Sequence, residues 1–310
     1  MLTQLTTPAN LHTAFARVEA SRGRAGVDGV TIGAFRRHLD LNLAVLGEEL
    51  HSGHYFPLPL LRLLVAKADG SPRALSVPAV RDRVAQAAVL NLIEPIFEAH
   101  FEDVSFAYRR GRSVKAAALR IRELRDQGYR YLVNADLDAF FDNVDHDLLL
   151  AKVSRLIADD AILNLIRLWV KAEIYNGEKT FVLDQGIPQG TVVSPILANL
   201  FLDELDESLT AQGYRMVRYS DDFVVLAKTR PQAEAALEAT EEVLARLRLA
   251  LDAEDTAITD FEAGFKFLGL IFLKDSILAP FDRSKREKRV LYFPPPFDLK
   301  DYLARKKAGP

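Results

Sequence analysis

Apolar residues along this chain recur at two different spacings. Over residues 8–22, 31–50, 80–98, 113–127 and 231–250 they return every three to four positions, which predicts helices with one buried face. Elsewhere, β-branched and aromatic residues crowd into short runs bounded by turn residues, which predicts strands. Residues 55–78 read as two strands joined at Asp69-Gly70, residues 129–135 as a single strand, and Arg215 to Ala227 as a hairpin with Asp221 and Asp222 at its tip. Asp145 is a fitting N-cap for a helix through Leu148 to Ile157. Ser194 is a fitting N-cap, and Pro195 a fitting first residue, for a helix burying Ile196, Leu197, Leu200 and Phe201. Residues 251–261 read as a short connection and strand, and residues 264–272 as an edge strand or hairpin.

The strand at 129–135 runs into Asp136. Laid beside the hairpin, it brings Asp136 to Asp221 and Asp222, and carboxylates packed together repel one another unless a cation intervenes. Oxygen-only ligands suit Mg²⁺, which keeps several waters and binds through one or two carboxylates plus phosphates. Two such ions stabilise the attacking and leaving oxygens of an in-line phosphoryl displacement. Read without that context, adjacent acids at a turn are simply solvated.

Composition narrows the setting. The chain has 310 residues, 49% of them hydrophobic, enough for one large domain or two intimate subdomains. It has no cysteine, which excludes disulfides and thiolate-bound zinc. The start lacks the pattern of a signal peptide and no apolar run is long enough to span a bilayer, so a soluble, cytoplasmic protein without membrane contact is expected. The net charge of −3 argues against indiscriminate nucleic-acid binding, but charge is segregated. Residues 109–130 hold eight basic and two acidic side chains; residues 231–262 hold nine acidic and two basic. The basic belt suits phosphates or, equally, a solvated helix face.

Three linked stretches resemble the motifs of reverse transcriptases of the group II intron-like lineage. Tyr219-Ser220-Asp221-Asp222 is similar to their catalytic box, Asp136 through Phe141 to their first aspartate motif, and Gln185 to Leu200 (QGIPQGTVVSPILANL) to the loop and helix between, with 85 residues separating the two acid positions. The fold this implies is α+β, a right-hand polymerase with fingers and palm, the antiparallel palm sheet backed by helices and the thumb minimal or absent. The expected plan is an N-terminal helical extension over 1–50, fingers over 51–130, palm over 131–275 and a basic Pro-containing tail or linker over 276–310. Gly26-Val-Asp-Gly29 and the tract Ser105 to Ser113 (SFAYRRGRS) also resemble segments of the family.

The resemblance assigns roles. Asp136, Asp221 and Asp222, with the Leu137 carbonyl, are the expected catalytic ligands of Mg²⁺, for which Mn²⁺ can substitute. Lys67 and Arg73 are expected to clamp the triphosphate; without the resemblance they are two surface cations on a hairpin. Phe141 is expected beneath the nucleotide sugar, where it would reject a 2′-hydroxyl, with Phe140 as core. Gln189 is expected to line the nucleotide pocket and Tyr219 to support the primer end. Arginines of the 105–113 tract are expected on template phosphates, residues 264–272 as the primer grip, and His146 as a surface residue. One departure stands out: the family has a lysine before the threonine where this chain reads Glu254-Asp255-Thr256, and Lys228 is the cation considered as its replacement.

The expected activity is RNA-directed DNA polymerisation, with an RNA template, a DNA or RNA primer and deoxynucleoside triphosphates. A core without maturase or endonuclease modules, together with the Pro-Pro-Pro-Phe-Asp-Leu tail, resembles the CRISPR-associated type, which implies a CRISPR integrase as partner and spacer acquisition from RNA as the role. The alternatives are a catalytically weak polymerase-like RNA-binding scaffold and an integrase-docking adaptor.

Overall fold

The computed structural model describes residues 1–66, 70–279 and 290–308, with residues 307 and 308 described by backbone alone. Its helices start where the sequence supplies caps. Pro8–Ala20 follows Thr7, whose side chain accepts from the Asn10 amide, and buries Leu11, Ala14, Phe15 and Val18. Leu39–Ser52 ends at Gly53 with φ +75°, a left-handed stop. Both pack on Val80–Glu98, which is buried nearly all round in its first half, where Ala85, Ala87 and Ala88 let its neighbours approach closely. Asp145 caps His146–Leu156 by accepting from the Leu148 amide at 2.9 Å, as its position predicts. Ser194 does not cap: Ser194–Ala211 begins at that residue, and its hydroxyl donates instead to the Pro188 carbonyl at 2.8 Å. The loop before the helix, not the helix end, claims that donor.

The palm sheet runs in the order Arg215–Tyr219, Asp222–Ala227, Tyr131–Ala135, Ala257–Asp260, all antiparallel. Alternation along its strands divides two cores. Val133, Ala135, Met216, Phe223 and Val225 face the main core, with the helices Ser194–Ala211 and Arg230–Arg246. Leu132, Val217, Val224 and Leu226 face a second cluster, with the helix Val114–Asp126 and the rings of Phe265, Phe267 and Phe272. Both faces being covered, the strands must be apolar on both, and they are. The acids lie at the sheet's end.

In the fingers, Leu60–Ala66 pairs antiparallel with Pro72–Val77, from Leu61↔Val77 to Ala66↔Pro72. Lys67 and Asp69 lie outside the described residues, between these strands. Leu60–Ala66 also pairs with Ile174–Tyr175 and, antiparallel, with Val290–Tyr292. The C-terminal stretch expected as a tail or linker thus supplies a strand to the fingers. It continues through Phe297, 4.8 Å from the Tyr175 ring, into helix Leu299–Ala308, whose Lys306 meets Glu173 at 2.6 Å. Its aromatic residues find the fingers surface, which overrides the low folding information of its Pro-rich, basic sequence. Among the described residues no helix is long and apolar enough to cross a membrane.

The junction of extension, fingers and main core is a buried polar knot. Asp82, 1% exposed, accepts from the Tyr55 hydroxyl at 2.9 Å and the Leu58 amide at 3.0 Å, while the Trp169 indole donates to Tyr55 at 3.0 Å. Burial pushes the Asp82 carboxyl up to about 6 from 3.8. A folded-state value above the unfolded one means that stability is greatest below 3.8 and is lost as pH rises through about 6. Urea titrations at pH 4 and pH 7 should therefore show Asp82→Asn losing less stability over that interval than the wild type, by about 2 kcal/mol, since at pH 4 the unfolded carboxyl is already partly ionised. Equal losses in the two proteins would contradict this account of the knot.

Candidate active site

Antiparallel register sets two acids side by side. Ala135 pairs with Phe223, so Asp136, the next residue on one strand, and Asp222, the preceding residue on the other, are neighbours across the ladder. Tyr219 pairs with Asp222 to close the hairpin, leaving Ser220 and Asp221 as a two-residue turn. Ser220 takes φ +66°, a left-handed conformation that costs a residue with a Cβ about 1–2 kcal/mol. The turn that carries the acids is therefore held in place by its surroundings.

The charges feel one another. Burial, then the Asp221 carboxylate, push Asp136 up to about 6, and the amide of Leu137, which donates to Asp136 Oδ1 at 2.9 Å, opposes this. Burial, then Asp136, Asp221 and Asp255, push Asp222 up to about 7, with Arg73 opposing. Asp255 is thus a fourth carboxylate facing the same place. A cavity of about 300 Å³ is lined by Asp136, Asp222, Asp255 and Lys266.

The donor chemistry at this cleft is oxygen only, half-buried and short of positive charge, and it fits Mg²⁺. Among the described residues no three acid or imidazole groups close on one point. The carboxylates line an open cleft, which suits an ion that keeps waters and takes phosphate oxygens as further ligands better than a closed protein cage. The backbone here is firmly placed: the Asp138 amide donates to Ala250 O at 3.0 Å and the Asp252 amide to Asp136 O at 2.9 Å. Neither bond uses the Leu137 carbonyl.

Just past Asp136, Ala139 takes φ +41° and starts the short helix Phe140–Asn143. Phe140 is 1% exposed and packs on Phe201, whereas Phe141 is half-buried at its edge, ring centroids 5.2 Å apart. The loop after Gln185 is tied to this turn: Gly186 N donates to Val144 O and Ile187 N to Phe141 O, both at 2.7 Å. Gly186 has φ +90°, and a Cβ there would stand 2.8 Å from Asp142 O, so only glycine allows the approach. Gln189 O accepts from the Ser76 amide at 2.7 Å, joining this loop to the strand Pro72–Val77 that carries the exposed Arg73. Arg73 and Gln189 are thereby brought to one side of the cleft. Tyr219, half-buried, packs against the second cluster. Lys67 lies outside the described residues.

Several sequence readings change. Lys228 stands at the far end of the Asp222–Ala227 strand from the acids, its ammonium 5.3 Å over the Tyr129 ring, so it cannot replace the missing lysine. Among the described residues Lys266 lines the cleft. His146 is 5% exposed, its Nε2 donating to Gly186 O at 2.7 Å, and so holds the loop from below. Arg109 is a structural residue, 7% exposed and paired with Glu98 at 2.8 Å, and Arg112 pairs with Asp103 at 2.6 Å. In that tract Tyr108, Arg110 and Ser113 have exposed side chains. Arg218, buried beneath the turn, carries no local signal of its role, because its partner Asp206 lies on another element. Asp255 had a signal, the departure at the lysine position.

A family model described as Reverse transcriptase (RNA-dependent DNA polymerase) matches residues 65–272. Protein YkfC of Escherichia coli (strain K12) is 34% identical over 87% of this chain and 81% of its own length. Group II intron-encoded protein LtrA of Lactococcus lactis subsp. cremoris is 37% identical over 52% of this chain, a segment that is only 27% of LtrA. Among solved structures, apo telomerase from Candida tropicalis shares the fold over 71% of this chain and 47% of its own, with TM-score 0.57 and 12% identity. A chain of the Partial Cas6-RT-Cas1--Cas2 complex aligns over 79% of this chain and 41% of its own, with TM-score 0.49 and 26% identity.

Repulsion at the cleft has a measurable consequence. Asp222→Asn removes a charge that the fold raises in energy, so without divalent ions at pH 8 the variant should melt roughly 2–4 °C above the wild type. Millimolar Mg²⁺ should raise the wild type and not the variant, closing the gap in thermal scans. A variant that melts lower than the wild type in chelator would contradict the repulsion.

Proposed function

We propose that this chain, which belongs to the reverse transcriptase (RNA-dependent DNA polymerase) family, extends a DNA or RNA primer along an RNA template with deoxynucleoside triphosphates. The observation that carries this reading is the pairing of Tyr131–Ala135 with Asp222–Ala227, which sets Asp136 against Asp222 with Asp221 in the adjoining turn. In this reading Asp136, Asp221 and Asp222, with the Leu137 carbonyl, hold divalent ions. Bound Mg²⁺, or Mn²⁺ in its place, supplies charge stabilisation to the attacking and leaving oxygens.

The chain's own residues do the rest. The open cleft admits the primer 3′-oxygen to the α-phosphorus of a template-paired nucleotide; that O–P bond forms as the bond to pyrophosphate breaks. Arg73, with Lys67, binds the triphosphate and offsets its charge. Phe141 and Gln189 shape the sugar side of the pocket. Tyr219 and the strands Phe265–Phe267 and Leu270–Leu273 support the primer end. Tyr108 and Arg110 are placed to meet template, the ring by stacking and the guanidinium by phosphate contact.

One observation favours a weaker catalyst. Asp255 faces the acids where the family has lysine, so the group expected to protonate departing pyrophosphate is missing, and an RNA-binding scaffold with little turnover is the second reading. A finer role in CRISPR spacer acquisition beside an integrase, and so in antiviral defence, belongs to this proposal too. Pull-down of the integrase and loss of RNA-derived spacers in an Asp221→Ala strain are its expected results, and spacer capture that survives that substitution would leave only an adaptor.

Primer extension on an RNA template with Mg²⁺ should proceed in the wild type and fall on the order of 10³-fold in Asp221→Ala. Equal and negligible extension in both would favour the scaffold. Phe141→Ala should lower the preference for deoxynucleotides over ribonucleotides by about tenfold or more in kcat/KM, and unchanged discrimination would remove Phe141 from the sugar pocket.

A further inference from the structure

Beneath the acidic turn lies a charged side chain that the mechanism above does not use. Arg218 is fully buried, as is its partner Asp206. The Arg218 guanidinium donates from Nε to Asp206 Oδ1 at 2.7 Å and from Nη2 to Asp206 Oδ2, a two-pronged pair. Its Nη1 donates to Asn199 Oδ1 at 3.2 Å and to the carbonyl of Ser220 at 3.0 Å. Asn199, 1% exposed, passes the connection on, its Nδ2 donating to Ala107 O at 2.8 Å. The backbone of Arg218 is gripped as well: its amide donates to Val104 O at 2.8 Å and its carbonyl accepts from the Phe106 amide at 2.9 Å.

Stability alone does not account for this arrangement. A buried ion pair is commonly no more stable than apolar residues of the same size. What the network fixes is specific. Ser220 holds a left-handed φ with a Cβ present, and its own hydroxyl is buried with no hydrogen-bond partner among the described residues, so the side chain does not secure the turn. Its carbonyl is held by Arg218, whose other donors are committed to the helix Ser194–Ala211, which bears both Asn199 and Asp206. Arg218 has its guanidinium oriented by that helix before it reaches the turn.

We propose that Arg218 is a positioning residue for nucleotidyl transfer: anchored by Asp206 and Asn199, it holds the Ser220 carbonyl and thereby sets where the carboxylates of Asp221 and Asp222 stand. The Asn199 bond to Ala107 O extends the same anchor to the loop that presents Tyr108 and Arg110, so the template-side loop and the acidic turn share one fixed point. This inference rests on the polymerase reading above.

The test compares wild type with Arg218→Lys, which keeps the charge and loses the fork, and with the paired Arg218→Met/Asp206→Leu, which replaces the buried pair by apolar groups of similar size. Amide hydrogen exchange at Tyr219–Phe223 should quicken by about tenfold or more in either variant, while Leu132 and Val133 keep their protection. In primer extension, kcat should fall about 10–100-fold with KM for the nucleotide within about threefold, and half-saturating Mg²⁺ should rise severalfold. Should Arg218→Lys fail to fold, the double variant still decides. Turn exchange and Mg²⁺ requirement like those of the wild type in a folded variant would overturn the assignment. If the wild type itself extends no primer, the polymerase reading fails, and the exchange comparison alone still establishes or refutes the grip of Arg218 on the turn.

Discussion

Like charges held together by an antiparallel ladder are the constraint on which the rest of this structure turns. Strand pairing between Tyr131–Ala135 and Asp222–Ala227 leaves Asp136 and Asp222 nowhere to go but beside each other, and the hairpin turn adds Asp221. Their raised affinities for protons, toward about 6 and about 7, come first from burial and then from the neighbouring carboxylates. The surrounding architecture makes such crowding tolerable. Both faces of the sheet are covered by apolar cores, and the turn is gripped from below by a buried arginine. A cleft so arranged favours whatever brings positive charge to it, which is the part proposed above for a nucleotide with its divalent ion.

That frame explains why the loops matter. Gly186 and Ile187 bond through their amides to the turn carrying Phe141, the Gln189 carbonyl bonds to the strand carrying Arg73, and Gly190 lies so close to that strand that a Cβ would stand 2.8 Å from Ser76 O. The fingers, in turn, are braced by the C-terminal strand Val290–Tyr292 and by the Phe297 and Tyr302 rings, so a stretch remote in sequence stiffens the half of the cleft opposite the acids. Relatives of this chain differ greatly in length, LtrA being covered over only 27% of its own, and the family model matches residues 65–272, the part of the chain that carries this cleft.

Much of this could be read from the sequence because period and turn chemistry are local. The strand-turn-strand at Arg215–Ala227, the helix at Val80–Glu98 and the Asp145 cap all declare themselves within a few residues. What escaped depends on partners distant in the chain. Ser194 looks like a cap until the Pro188 carbonyl takes its hydroxyl, and His146 looks like a surface residue until Gly186 covers it. Arg109 and Arg112 look like phosphate ligands until Glu98 and Asp103 claim them. Lys228 looks adjacent to the acids in sequence, but a strand of six residues carries it to the opposite end of the sheet. The tail from residue 290 onward reads as a linker because proline and basic residues dominate it, while the aromatic rings that dock it are few and scattered.

The central claim is that Asp136, Asp221 and Asp222 share divalent ions. Anomalous scattering from crystals grown with Mn²⁺, an RNA-templated primer and a non-hydrolysable deoxynucleotide analogue tests it directly. Anomalous peaks within direct coordination distance of all three carboxylates are the predicted result. A refined complex in which Mn²⁺ sits elsewhere, or in which Asp136 binds no ion that Asp221 or Asp222 also touches, would contradict it.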